Sequence, residues 1–322
     1  MSVPTPSRIA EQLAQAHHVL ITSHRNPDGD ALGSCLALQL ILKAQGVAAT
    51  VWLRDAVPAN LAALPGSNEV HNGKHPPAET FDLAVVLECP TPDRSGLEYH
   101  LPRQPIINID HHLGNSDYGV SNWVDPTAPS VGCLVFELAN LLPEPIATAA
   151  LNLLLVTLFT DTGGFRYANA SHRAFEVAAA LVEAGGDPEV VSGWVYENRT
   201  ASSLRLLAKA LETLRIDCQG QAATVLVSKG MMIGTAPGDT EGIVDHARAI
   251  SGVKAAALLR ETDDGGIKVS LRSKGQVSVE PIARSFGGGG HDKAAGFELP
   301  GQDLETARST VIELLRTVVE GN

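Results

Sequence analysis

The sequence predicts an α/β protein: a doubly wound, mostly parallel sheet, followed by a second, smaller α/β domain across a helical linker. Three observations point there. Short, continuously apolar runs at residues 19–23 and 81–87 read as parallel strands buried on both faces. Segments with helical apolar spacing alternate with such runs, as in βαβ units. The pattern then restarts near Ile216 after a more polar helical stretch, and 322 residues favour two domains over one. The expected boundaries are residues 1–186, a linker over 187–215, and residues 216–322.

Taken in order, residues 5–16 form a short amphipathic helix, 19–23 the first strand, 31–45 a helix and 48–53 a second strand. Residues 58–77, rich in Pro, Gly and Asn, are an irregular connection. The run 81–87 ends in Glu88, and the run 105–109 ends in Asp110. Helical spacing covers 130–142 and 145–159, the latter running into Thr160-Asp161-Thr162-Gly163-Gly164, and 171–184 is a further helix closed by Gly185-Gly186. In the second part, 222–228, 253–260 and 267–272 are strand-like, with a helix over 242–250 and a last helix over 304–319. Asp263-Asp264-Gly265-Gly266 is a hairpin signal.

Composition narrows the function classes. The net charge of −12 opposes a protein that coats long nucleic acid, unless its basic residues gather on one face. It leaves room for a short anionic substrate. No apolar stretch is long enough to span a bilayer, and the start lacks a signal peptide's basic and apolar regions, so the expected location is cytoplasmic. The four cysteines form no CxxC pair, which argues against a zinc ribbon or a disulfide framework.

The chemistry starts at His24-Arg25-Asn26-Pro27-Asp28-Gly29-Asp30, where an imidazole and two carboxylates follow a buried strand directly. That is where ligands sit in open α/β sheets. The same string is also good turn chemistry, and alone it supports either reading evenly. Glu88, Asp110, His111, His112 and Asp161 stand at the ends of further segments. Several carboxylates in one crevice raise one another's pKa unless cations neutralise them. An oxygen-rich set with one or two imidazoles suits Mn²⁺ or Mg²⁺ better than Zn²⁺. Two such ions about 3.5–4 Å apart can generate a hydroxide and stabilise an in-line displacement at phosphorus. Phosphoester hydrolysis is the natural use. In the second part, Gly287-Gly288-Gly289-Gly290-His291 reads either as a flexible turn or as an anion-binding loop, with Arg272, Ser273 and Lys274 as further donors. Arg260, Lys268, Arg284 and Lys293 make that segment locally basic.

Together, NIDHH at 108–112, HRNPDGD at 24–30, FTDTGGF at 159–165, SLRSKG at 270–275 and FGGGGH at 286–291 resemble the DHH/DHHA1 phosphoesterases, over nearly the whole chain. Within them, the chain is similar to the nanoRNase and phosphoadenosine-phosphate (pAp) phosphatase group. The resemblance implies a DHH catalytic domain followed by a DHHA1 substrate domain. The implied activity is Mn²⁺-dependent phosphodiester hydrolysis of very short single-stranded oligonucleotides, RNA and also DNA, to mononucleotides, with pAp as a second substrate. It implies that His24 and Asp28 hold one cation, Asp30, His111 and Asp161 the other, and that Glu88 stands where the family has a bridging aspartate. Asp110 would brace the DHH turn and His112 would serve the scissile phosphate as acid or donor. Arg272, Ser273, His291 and the glycines Gly288, Gly289 and Gly290 would bind substrate. After His291 the chain reads DKAAG where relatives often read KNAAG. A homodimer is compatible with this reading, and no membrane partner is expected. Three other readings share the motifs: a RecJ-like single-strand exonuclease, a phosphodiesterase of linear dinucleotides such as pApA or pGpG, and a nucleotide-binding regulator whose catalysis Glu88 has weakened.

Overall fold

The computed structural model describes residues 6–76, 81–101, 105–236 and 238–320, and of His291 the backbone alone. The chain divides into two compact units, Met1–Asn198 and Arg199–Asn322.

In the first unit, α1 (Pro6–Gln15) leads into β1 (His18–Thr22), α2 (Gly29–Ala44), β2 (Ala48–Leu53), β3 (His71–Asn72) and β4 (Leu83–Leu87). Next come α3 (Pro92–Ser95), β5 (Ile106–Asp110), β6 (Ser121–Val124), α4 (Val131–Ala139), α5 (Thr148–Asp161), α6 (His172–Glu183) and α7 (Pro188–Tyr196). The six strands run in the order β3-β2-β1-β4-β5-β6, every pairing parallel. Chain order reverses between β1 and β4, so the ligand crevice of such a sheet lies beyond the carboxyl ends of these two strands. β4 and β5 are buried at every position, as their unbroken apolar runs require.

The main core packs α1, α2, α4 and α5 on one face, through Ile9, Leu13, Leu32, Leu134 and Leu154 among others. The other face carries Leu20, Ala84 and Val86 against Leu97 and Leu101, which follow α3. A Cβ on Gly29 would run into Thr160, and one on Gly132 into Thr157. These two glycines let α2, α4 and α5 meet at short range, which brings Asp30 and Asp161 to the same end of the helical layer.

The second unit carries α8 (Ala201–Glu212), β7 (Arg215–Asp217), β8 (Ala222–Val227), α9 (Ile243–Arg248), β9 (Ala255–Glu261) and β10 (Ile267–Ser273). It ends with α10 (Glu280–Ser285), β11 (Gly289–His291), β12 (Ala294–Leu299) and α11 (Leu304–Val319). Its sheet runs β11-β12-β10-β9-β8-β7, parallel only between β8 and β9. Helices α10 and α11 pack on one face and α8 and α9 on the other. The Asp263–Gly266 hairpin joins β9 to β10, with Glu261 opposite Ile267. The helical stretch expected as a linker falls as α7 in the first unit and α8 in the second. No described helix is long and apolar enough to cross a membrane.

Candidate metal centre

The crevice beyond β1 and β4 gathers the polar groups. His24 lies two residues past β1, Glu88 directly follows β4, and Asp110 ends β5. Asp28 caps α2, its Oδ1 accepting from the Ala31 amide at 3.0 Å, so turn chemistry and ligand placement coexist in one loop. Asp161 is the last residue of α5 and not a strand-end residue.

Three sets of donors each lie within 4.8 Å of one another: His24, Asp28 and Glu88; Glu88, His111 and His112; Asp30, His111 and Asp161. Glu88 belongs to two sets and so does His111, so the three form one continuous cluster. Its inner members are buried, Glu88 at 2 % exposure, Asp30 at 1 % and His24 at 8 %, while His111 and Asp161 are half-buried and Asp28 lies exposed at the edge.

Both candidate ligand histidines have one ring nitrogen tied down. His24 Nδ1 lies 2.8 Å from the Arg25 carbonyl and His111 Nδ1 3.0 Å from the Ala128 carbonyl. A carbonyl only accepts, so each Nδ1 carries the hydrogen and each Nε2 keeps its lone pair when the ring is neutral. His24 Nε2 points at Glu88 Oε2, 3.5 Å away; His111 Nε2 is 4.0 Å from Asp30 and 3.9 Å from Asp161. Glu88 Oε2 and His111 Nε2 are buried without a hydrogen-bond partner. Buried polar atoms are rarely left so, and two of them in an acid cluster are what a cation site requires.

The charge balance agrees. Burial pushes Asp161 up to about 8, with the Asp30 carboxylate adding to it and His111 opposing it. Burial raises Asp30 as well, with Asp28 adding to it and His111 again opposing. Glu88 is pushed well above the usual range by burial and by Asp28, Asp30, Asp161 and Asp110 around it. Burial disfavours a charged His111 ring, yet Asp30 and Asp161 hold its pKa above the ordinary value. Carboxyls so raised hold protons more tightly than free ones, and cations would compete for the same oxygens. Glu88 also sits at φ +52°, a strained conformation for a side chain of its size.

Asp110 is placed differently. Burial would raise its pKa, but the His112 ring at 2.8 Å and Asn115 Nδ2 at 2.6 Å donate to it and hold it below the usual range. Its Oδ1 also accepts from the His111 amide at 2.8 Å. All of this braces the DHH turn and fixes the tautomer of His112.

Further groups support these acids and carry no motif of their own. Asp30 Oδ2 accepts from the Val131 amide at 2.7 Å and its Oδ1 from Gly132 at 3.2 Å and Ser34 at 3.1 Å, so this acid also holds the start of α4. Asn169 donates to Asp161 Oδ2 at 3.0 Å and to the Pro129 carbonyl at 3.1 Å. Arg173 bridges Asp125 and Glu137, each at 2.6 Å, and thereby fixes the loop whose Ala128 carbonyl orients His111. These contacts join residues far apart in the chain, and only a fold reveals them.

In the second unit the glycine run is neither a free turn nor a loop at its end, because Gly289–His291 forms β11, paired antiparallel with β12. A Cβ on Gly288 would strike the Gly296 carbonyl and one on Gly290 the Ala294 carbonyl, so backbone packing demands both glycines. A Cβ on Gly289 would meet nothing. Arg272 and His291 both pair with Ala294, which places them in one row across β12. Ser273 is 2 % exposed, donates its hydroxyl to the Val277 carbonyl at 2.7 Å and its amide to Lys293, and therefore closes a turn. Its hydroxyl is thus committed to the protein's own backbone and not offered to a substrate. The local basic character is also largely committed: Lys274 donates to the Arg248 and Ile250 carbonyls, Lys293 to Val277, and Arg284 to Glu280.

Comparison with known proteins adds an independent line. Residues 18–158 match the DHH family, N-terminal domain, and residues 222–317 the DHHA1 domain. The chain is 34 % identical to the bifunctional oligoribonuclease and PAP phosphatase NrnA of Thermus thermophilus, over 92 % of this chain and 89 % of that one. It is 28 % identical to the NrnA of Bacillus subtilis, over 87 % and 89 %. The crystal structure of an exopolyphosphatase-related protein from Bacteroides fragilis superposes with a TM-score of 0.89 at 27 % identity, covering 98 % of this chain and 97 % of that one.

Proposed function

Because the chain belongs to the DHH family, with a DHHA1 domain behind it, and is a hydrolase of phosphoester bonds, we propose that it cleaves very short single-stranded oligonucleotides to mononucleotides and also dephosphorylates pAp. The observation that carries this reading is the pair of buried, unpartnered atoms Glu88 Oε2 and His111 Nε2 within one acid cluster. Two divalent cations, Mn²⁺ ahead of Mg²⁺, would supply an activated water and Lewis-acid stabilisation of the phosphoryl oxygens. His24, Asp28 and Glu88 would hold one, Asp30, His111 and Asp161 the other, with Glu88 between them.

The chain's own groups do the remaining work. Asp110 accepts from His112 Nδ1 and would stabilise the ring as an imidazolium, the form whose Nε2–H serves as donor or proton source toward the leaving oxygen. Asn169 and Arg173 keep Asp161 and His111 aimed inward. In the second unit, the row of Arg272 and His291 on either side of Ala294, beside the open Gly289, supports a phosphate-gripping surface. Glu88 is one methylene longer than the family aspartate, and its place in two donor sets supports a working bridge and not a weakened one.

The test is incubation with Mn²⁺ and 5′-labelled oligonucleotides of graded length, with product lengths followed over time. The expected result is mononucleotide release from strands of two to about five residues, with long strands left intact. Preferential attack on long strands would favour a RecJ-like exonuclease. Binding without turnover, with hydrolysis appearing in Glu88→Asp, would favour the regulator.

A further inference from the structure

Outside the metal cluster, the most unusual charge arrangement of the first unit lies on the rim of the same crevice. Arg25 follows β1, Arg54 follows β2 directly, and Arg94 lies in α3 beyond β4. The stems of Arg25 and Arg54 both pack on Gly96, where a Cβ would sit 2.8 Å from Arg54 Cγ and 2.9 Å from Arg25 Cδ. Gly96 has φ +65°, so its backbone and the two stems alike exclude a side chain. The Arg25 amide donates to the Arg94 carbonyl at 2.8 Å, which ties the third arginine to the first.

Little offsets these charges. Among the described residues, no carboxylate lies within ion-pair distance of Arg25 or Arg94. Arg25 reaches the Asp93 backbone carbonyl at 3.4 Å, and Arg54 has Asp55 at 3.5 Å, whose other oxygen already accepts from the Asn26 amide. Arg25 and Arg94 are exposed. The two aliphatic stems converge at a packed glycine, and a chain of net charge −12 has acids to spare for pairing both heads. A neutralising role for the metal acids would need the charge alone; it would not need two fork-shaped donors held on one glycine. Planar forks match phosphate oxygens in pairs.

We infer that Arg25, Arg54 and Arg94 form a second phosphate subsite of the first unit, one that takes a phosphodiester of the strand that is not being cleaved. The inference rests on the oligonucleotide reading above and deepens it. The subsite accounts for how a strand longer than a dinucleotide is held, since a dinucleoside monophosphate offers only the scissile phosphate.

The test uses the Mn²⁺-loaded protein and calorimetric titration with two analogues whose leaving oxygens are replaced by methylene, one of pApApA and one of ApA. In Arg54→Ala/Arg94→Ala the trinucleotide analogue is expected to bind at least about tenfold more weakly, roughly the worth of one charge-assisted hydrogen bond, and the ApA analogue less than about twofold. Arg94→Gln, a change at an exposed side chain, should shift binding selectively in the same direction. Equal losses on both ligands, no loss on either, or no binding of the trinucleotide analogue by the unaltered protein would overturn the subsite. Hydrolysis of natural pApApA is measured separately. An unaltered protein that binds the analogue but does not cleave the natural strand would sink the proposed activity and leave the subsite standing.

Discussion

The two units treat the polar groups of their sequence motifs in opposite ways. In the first, buried acids crowd together, raise one another's pKa and leave Glu88 Oε2 and His111 Nε2 without partners. In the second, most of the conspicuous polar groups are already satisfied: Ser273 closes a turn, Lys274 caps α9, and Lys293 bonds the Val277 carbonyl. Several buried acids crowded together with unpartnered ligand atoms mark a candidate binding place, while satisfied donors mark architecture. The glycine-rich segment drew equal attention in the sequence, yet two of its glycines serve backbone packing.

The comparison can be broken most forcefully in the first unit. His111→Ala should abolish metal-dependent hydrolysis, with a loss above about a hundredfold, beyond what losing a supporting residue costs. Residual activity near the unaltered level in a kinetic assay would contradict the ligand role. A second effect is expected in stability. Asp161 is raised to about 8 and Asp30 and Glu88 are raised too, so the metal-free fold gains from their bound protons below the ordinary carboxylate range, about 4, and loses that gain as pH rises, the share of Asp161 through about 8. Thermal melting with EDTA should therefore show Tm falling across that window. Added Mn²⁺ should raise Tm most at the alkaline end, because its ligands bind only when deprotonated.

Two smaller effects sharpen the contrast. Arg173→Ala should weaken Mn²⁺ affinity about 10–100-fold by releasing the loop that orients His111. Calorimetric metal titration checks it, and unchanged affinity would remove Arg173 from the support of the site. Ser273→Ala should cost only about 1–3 kcal/mol of stability, the loss of one buried hydrogen bond, with KM for a dinucleotide unaltered. A large rise in KM with unchanged Tm would return Ser273 to the substrate surface.

How much of this was legible in the sequence follows from where each signal lives. Buried strands announced themselves as apolar runs, so β1, β4 and β5, and with them Glu88 and Asp110, could be placed by composition. The edge strand β6, reading SNWV, lacks such a run and carries no strand signal. Neither does β11, because a glycine run carries the signal of a turn, and only the close approach of β12 turns it into a strand. Asp161 is marked in the sequence as the end of a helical segment, in agreement with its place as the last residue of α5, but its closeness to Asp30 depends on Gly29 and Gly132 admitting close helix packing. Asn115 stands three residues beyond the DHH motif and a search for local partners of Asp110 could have found it. Asn169 and Arg173 carry no comparable mark, since what they hold lies up to 48 residues away in the chain.

The central claim is that the acid cluster of the first unit is a site for two cations. Calorimetric titration of the metal-free protein with Mn²⁺ below pH 8 tests it most directly. The account predicts two ions bound per chain with release of protons, and both lost or severely weakened in Glu88→Ala, since Glu88 lies in two of the donor sets. Binding of a single ion, or of none, or two ions bound without any dependence on Glu88, would contradict it.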